Sequence, residues 1–286
     1  MLAVHAHPDD ESITMGGTLA RYAALGMPVT LVTATLGEEG EAMHDVLAGL
    51  TAGAADQLGG YRLAELGAAC RALGVTDRRM LGGLGRFRDS GMAGSESARH
   101  PRAFCRAGSG GPDHDEAVAA LTEVIGRLRP RVVLTYDADG GYGHPDHVAA
   151  HQVAVAAVRA AGTGGADGSG EIRLLAVVRP RSVFTAALAE MWAGPLPAGY
   201  ARGEPDDFGF LVDDGSVDVA VPVAPWRAAR RAALSAHASQ LDVWAGRTDG
   251  FALTNLLAQP LLDHEYYRVL AGPAAPIGAT DLFAGL

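Results

Sequence analysis

Two short segments of this chain hold residues whose types and spacing suit metal-dependent hydrolysis. In the first, His5-Ala6-His7-Pro8-Asp9-Asp10-Glu11, an imidazole at His7 and a carboxylate at Asp10 stand three residues apart. In the second, Gly140-Gly141-Tyr142-Gly143-His144-Pro145-Asp146-His147, the imidazoles of His144 and His147 are three apart. Zinc in a hydrolytic site takes three protein ligands from histidine and carboxylate and keeps a position for water; two histidines and one carboxylate suit Fe(II) as well. Either pair could converge on one ion. Spacing alone does not choose among the histidines, and a single His-x-x-Asp pair would serve as a helix cap or a core contact. Two loops that both carry His-Pro-Asp are harder to explain that way.

The elements around these loops read as a layered α/β chain. Residues 2–5 form a short strand, 18–25 a helix and 28–36 a buried strand rich in Val, Thr and Leu. Residues 61–73 place Leu63, Leu66, Ala69, Cys70 and Leu73 at helical spacing. A short strand at 79–81, a helix at 116–128 closed by Pro130, a strand at 132–136 and a helix at 145–161 with proline in its first turn follow. This alternation predicts a Rossmann-like, mostly parallel sheet with helices on both faces. In such a sheet, sites gather beyond the carboxyl ends of the strands, where both loops fall. The second half is less regular. Residues 162–170 read as a Gly-rich surface loop, 172–178 as a strand, 208–212 and 217–221 as an antiparallel pair, and 226–241 as a helix. One domain over 1–286 is expected, with a core at 1–162 and a smaller, partly antiparallel part at 163–286 that completes the pocket.

Composition narrows the function. The 286 residues are 48% hydrophobic with a formal net charge of -10, which speaks against a nucleic-acid or anionic-membrane partner. All 23 basic residues are arginines. The two cysteines, Cys70 and Cys105, are not spaced as a disulfide framework. No stretch approaches about 18 consecutive apolar residues, and the first residues carry no basic region before an apolar run. A cytoplasmic protein is expected, of open oligomeric state.

The motifs His7-Pro8-Asp9-Asp10-Glu11 and Gly143-His144-Pro145-Asp146-His147 together resemble the PIG-L/LmbE-like family of zinc N-deacetylases, which remove acetyl groups from N-acetylglucosamine conjugates. Residues 35–41 (TLGEEGE), 57–62 (QLGGYR) and 88–92 (RDSGM) are similar to the branch that acts on N-acetylglucosaminyl inositol in mycothiol biosynthesis. The resemblance implies His7, Asp10 and His147 as ligands of one zinc ion, with Fe(II) as the alternative metal, and a small amino-sugar inositol as substrate. Asp9 is then free to act as general base. Tyr142, between glycines, is the candidate oxyanion donor. His144 would assist electrostatically or protonate the leaving amine, with Asp146 orienting and charging it. The resemblance carries substrate contacts to Arg62 and Asp89, with Glu41 at the pocket wall.

Each residue also has a plainer reading. Asp9 could be a helix N-cap, Arg62 a partner of Glu65 within its helix, and Asp89 a turn residue. His151 is expected to pack behind the site and His5 to be structural. His44, His100, His114, His237 and His264 read as surface or packing residues. A dinucleotide-binding enzyme would need GxGxxG where His-Pro-Asp-Asp stands. A non-catalytic sugar-binding module would have no use for a base beside a metal. The nearest rival is an amidase acting on mycothiol S-conjugates through the same metal loops.

Overall fold

Leu2, Ala3 and Val4 are all buried, although successive strand residues face opposite sides of a sheet. A strand buried on both faces belongs in the middle of a covered, mostly parallel sheet. The computed structural model describes residues 1–162, 171–246 and 249–286, and there Leu2–His5 (β1) is a central strand. It is followed by Asp10–Ala24 (α1), Thr30–Thr33 (β2), Leu58–Leu73 (α2), Asp77–Met80 (β3), His114–Leu128 (α3), Val132–Thr135 (β4) and Pro145–Ala161 (α4). The second half adds Arg173–Pro180 (β5), Arg181–Trp192 (α5), Leu211–Val212 (β6), Val219–Pro222 (β7), Arg227–Ala236 (α6), Leu241–Trp244 (β8), Gly250–Leu253 (β9), Ala258–Pro260 (β10) and His264–Ala271 (β11).

The main sheet runs β3-β2-β1-β4-β5-β11-β7. Its first five strands are parallel, and β11 runs antiparallel to both β5 and β7. Strand order reverses between β1 and β4, so a crevice opens where their carboxyl ends diverge. Helices α1, α2 and α6 pack together, as do α3 and α4. A small antiparallel sheet, β10-β9-β8, lies apart from the main one. The expected α/β class, with a partly antiparallel C-terminal contribution, is the one observed.

Several expected boundaries differ. The helix expected at 18–25 begins at Asp10, because Asp10, Glu11, Ser12 and Thr14, polar residues that read as loop, are buried in its first turns. The expected antiparallel pair of 208–212 with 217–221 does not form: β6 pairs with β5, and β7 with β11. The helix expected at 226–241 ends at Ala236, and Leu241 opens a strand instead. The Gly-rich loop expected at 162–170 lies, past Gly162, outside the described residues. Cys70 is a buried free thiol as expected.

Helix α1 is broken at Met15, whose φ of -144° is not helical. The groups this frees are satisfied from far away in sequence. Glu265 on β11 accepts from the Gly17 and Thr18 N–H groups at 2.9 and 2.7 Å. Arg230 on α6 donates to the Ser12 and Ile13 carbonyls at 3.3 and 2.6 Å. The two side chains are buried and lie 3.3 Å apart. A side chain at Gly17 would strike Val223, with a Cβ 2.5 Å from that residue's Cβ.

Candidate active site

Both His-Pro-Asp loops leave adjacent strands at the reversal point. The first turns from β1 directly into α1 through Asp9, which adopts φ 111°, a region that costs a non-glycine residue energy. The Asp9 N–H is taken up by Glu11 Oε2 at 3.0 Å, and Glu11 Oε1 is held by His237 Nε2 at 2.7 Å. Asp9 occupies the N-cap position, yet its side chain makes no capping hydrogen bond. Its carboxylate meets Arg62 at 3.1 Å instead. The second loop turns from β4 into α4, with His144 as N-cap and Pro145 opening the helix.

The loops bring imidazoles and carboxylates into one buried cluster. His7 Nδ1 lies 3.3 Å from Asp10 Oδ2, and His147 Nε2 lies 3.3 Å from Asp10 Oδ1. His7 Nε2 lies 3.2 Å from Asp146 and 3.5 Å from Asp89. Ligand atoms of His7, His144 and His147 also fall within 4.8 Å of one another, as do those of His7, Asp89 and Asp146. Asp10 thus lies beside both His7 and His147 through its two oxygens, but the groups whose ligand atoms all converge among the described residues are the other two, so His144, Asp89 and Asp146 compete with the expected trio of His7, Asp10 and His147.

The donor set suits a divalent cation. His147 Nδ1 lies 3.0 Å from the Gly140 carbonyl, which places its proton there and leaves a bare lone pair on Nε2. That nitrogen is buried without a hydrogen-bond partner and faces a carboxylate oxygen, an arrangement that repels unless a positive charge, a second ring proton or a cation, comes between. Asp10 is pre-aimed: its Oδ2 accepts from the His7 N–H at 2.9 Å and the Tyr136 hydroxyl at 2.6 Å. Burial opposes charging of His7, but Asp89, Asp10 and Asp146 draw its pKa well above the usual range. Burial likewise opposes ionisation of Asp10, and His147 and His7 outweigh it. A metal ion would answer the same negative field.

The remaining candidates surround this cluster. Burial raises the Asp9 pKa to about 6, with Arg62 opposing and Asp10 adding to the rise. The Asp146 carboxylate does not touch His144 in the way expected. It accepts from the Ser90 N–H at 2.9 Å and faces His7, while the Asp146 backbone N–H donates to His144 Nδ1 at 3.2 Å. The helix start turns the carboxylate toward β1, so His144 is oriented by a peptide group and not charged by an acid. Burial, then His7 and His147, lower the His144 pKa to about 3, leaving a neutral ring with its proton on Nε2. Tyr142 is half exposed, and desolvation, then Asp10, raises its phenol pKa, so it remains a donor.

Arg62 is buried and already engaged, donating to the Gly37 and Pro8 carbonyls at 2.7 and 2.6 Å as well as to Asp9. Glu65, its alternative partner, binds Ser239. Asp89 accepts from the Gly91 and Glu39 N–H groups at 2.8 and 3.3 Å. Arg62, Asp89 and the exposed Glu41 all line one cavity of about 530 Å³, together with His7, Asp9, Asp10, Tyr142 and His144.

Sequence reasoning missed three supporting residues. Tyr136, last before the second loop, stacks on His147 at 4.1 Å and 10° and aims Asp10. Glu11 reads from the sequence only as part of a motif. His237, expected at the surface or in packing, is fully buried against Glu11. Only the position of Tyr136 at a strand's carboxyl end could have flagged it. His5 and His151 keep the supporting places expected of them, beside the Tyr136 hydroxyl and carbonyl at 3.4 and 2.9 Å.

A sequence model of the PIG-L family, described as GlcNAc-PI de-N-acetylase, matches residues 2–158. A relative from Nakamurella multipartita, named 1D-myo-inositol 2-acetamido-2-deoxy-alpha-D-glucopyranoside deacetylase, is 58% identical across all of this chain and 96% of its own. A relative of the same name from Nocardia farcinica is 51% identical, again across the whole chain and 96% of its own. Among solved structures, N,N'-diacetylchitobiose deacetylase from Pyrococcus horikoshii shares the fold at a TM-score of 0.52 and 18% identity, over 83% of this chain and 69% of that one. The 4-carboxy-2-hydroxymuconate hydratase from Pseudomonas putida shares it at 0.57 and 17%, over 97% and 98%. That fold is thus found under two chemistries, and activity must be argued from the site. The family match spans both metal loops and the strands that carry them: the chain belongs to the PIG-L family of de-N-acetylases.

Proposed function

We propose that this chain hydrolyses the acetamide of N-acetylglucosaminyl inositol to free amine and acetate, using one zinc ion held by His7, Asp10 and His147. The observation that carries the reading is the buried His147 Nε2, partnerless and 3.3 Å from Asp10 Oδ1, behind a cavity that Asp10 lines together with a second acid, Asp9. Identity of 46–58% to full-length relatives bearing that activity's name supports the substrate.

The ion, when bound, would polarise the acetyl carbonyl and make water acidic enough to lose a proton near neutral pH. The protein does the rest. Asp9, held toward the cavity by Arg62, takes that proton. The Tyr142 phenol donates to the oxygen that gains charge as the carbonyl becomes tetrahedral. His144, fixed by the Asp146 N–H, steadies the charged intermediate by a hydrogen bond from its Nε2–H, and the proton that the departing nitrogen needs is the one Asp9 took up. Arg62 pairs with Asp9 and holds the Pro8 and Gly37 turns in register. Asp89 and Glu41 meet sugar hydroxyls from the cavity wall.

Acetate release from N-acetylglucosaminyl inositol by the metal-loaded protein, and cleavage of a mycothiol S-conjugate, should be compared by kcat/KM. A preference for the first is expected. A preference for the S-conjugate would replace this reading with the amidase. Metal analysis after anaerobic purification decides between zinc and Fe(II). A His144→Ala variant should keep the ion and lose rate; loss of the ion would make His144 the ligand.

A further inference from the structure

The cavity continues past the metal cluster to Arg179 near the end of β5, a cation that the chemistry above does not use. Its guanidinium sits over the rings of Phe184 and Phe210, 5.1 and 5.6 Å from their centroids. One N–H donates to Gln259 Oε1 at 3.1 Å. Among the described residues no carboxylate pairs with it; the charges it feels are Arg230 and Glu265. Its other donors are not sealed inside the protein, since none is among the buried atoms lacking a partner. Burial lowers its pKa to about 10, as for a cation that has lost water without gaining a counter-charge.

Its distance from the reacting centre is set by one residue. Phe210 donates its N–H to the Gly141 carbonyl at 2.6 Å and accepts the Arg179 N–H at 2.7 Å, so it ties the Tyr142 loop to the end of β5. It does so at φ 70°, a strained conformation for a bulky residue. Gly141 makes room for its ring: a Cβ there would lie 2.2 Å from a Phe210 ring carbon. The Phe210 ring stands 6.4 Å from that of His147, so one aromatic ring separates Arg179 from the metal cluster.

We infer that Arg179 is a specificity-determining residue that receives the neutral polyol ring joined to the amino sugar. Its planar fork donates to two adjacent hydroxyls while the acetamide lies among His7, Asp9 and Asp10. The inference rests on the deacetylase reading above. A neutral ring is favoured over a phosphate-bearing group because Asp9, Asp10, Glu39, Glu41, Asp89 and Asp207 line the cavity and outnumber Arg62, Arg179 and His7. An anion would meet that field before it met Arg179.

The test is Arg179→Met, which keeps an unbranched side chain against both phenylalanines and removes the donors. Acetate release is measured on N-acetylglucosaminyl inositol and on free N-acetylglucosamine. The expected result is a fall in kcat/KM of about 10- to 100-fold on the conjugate, mostly in KM, with free N-acetylglucosamine within about twofold of wild type. Turnover of the smaller substrate also reports that the variant is folded. Equal losses on both substrates would overturn the inference, and so would a conjugate preference that survives the substitution. A wild-type protein that turns over the conjugate no better than the bare sugar would instead refute the proposed function, a result visible before any variant is made.

Discussion

Replacing Tyr136 with phenylalanine isolates a single hydroxyl. The ring stacked on His147 at 4.1 Å remains, and so does the apolar volume behind the site. What disappears is the donor to Asp10 Oδ2 at 2.6 Å and the acceptor for the Ala6 N–H at 2.8 Å. A hydrogen bond to a charged acceptor is worth about 1.5–3 kcal/mol, and Asp10 Oδ2 keeps only the His7 N–H as a backbone donor. Loss of a group that aims a ligand lowers metal affinity by about 10- to 100-fold. The stranded Ala6 N–H, in a fully buried residue, costs a further 1–3 kcal/mol, roughly, of folding stability. Competition with a chromophoric chelator measures the first effect, and urea unfolding of the metal-free protein the second. Affinity within twofold of wild type, whatever happens to stability, would refute the reasoning that Tyr136 positions Asp10 for the ion.

Asp9→Ala, with metal content held equal, should reduce kcat by about 100-fold or more if Asp9 moves the proton; near-normal turnover would remove it from that role. Glu265→Ala leaves two helix N–H groups without an acceptor and the buried Arg230 without its counter-charge, so urea unfolding should show a loss of about 3–5 kcal/mol, and a loss below about 1 kcal/mol would mean that the helix break is self-supporting. Burial, then Glu11, pushes the Cys70 thiol up to about 12. At pH 8 its thiolate fraction is on the order of 10⁻⁴, so a disulfide reagent should titrate Cys105 alone in the folded protein and both thiols in urea. Its reaction with Cys70 should quicken about tenfold per pH unit; prompt labelling of Cys70 at pH 8 would contradict its burial.

The first half of the fold was legible because β1, β2 and β4 are buried on both faces and α3 is amphipathic. Residues 2–5 and 145–161 match β1 and α4 to the residue, the latter because Pro145 marks a helix start. Legibility failed where tertiary contacts overrule local pattern. The start of α1 is polar because it is active-site wall, so its two turns read as loop. Strands β6 and β7 were wrongly paired with each other because their true partners, β5 and β11, lie elsewhere in the chain and periodicity carries no partner information. The site divides in the same way. Two loops were readable from residue types, and the geometry gathered them. Which way the Asp146 carboxylate turns is a matter of helix-start geometry, and spacing cannot see it. His237 appeared solitary because its acid, Glu11, stands 226 residues away.

The break in α1 bears on how such enzymes can be recombined. Every residue of the metal cluster is encoded before the end of α4, which invites treating residues 1–162 as a portable cassette onto which new specificity halves are spliced. Yet the helix that begins with Asp10 is held by Arg230 and Glu265, both contributed by the other half. A chimera that imports a foreign C-terminal half without this pair would inherit an intact catalytic motif on an unsupported helix. Splice libraries should therefore treat Arg230, Glu265 and the Gly17–Val223 contact as part of the catalytic inheritance and exchange only the loops around Arg179.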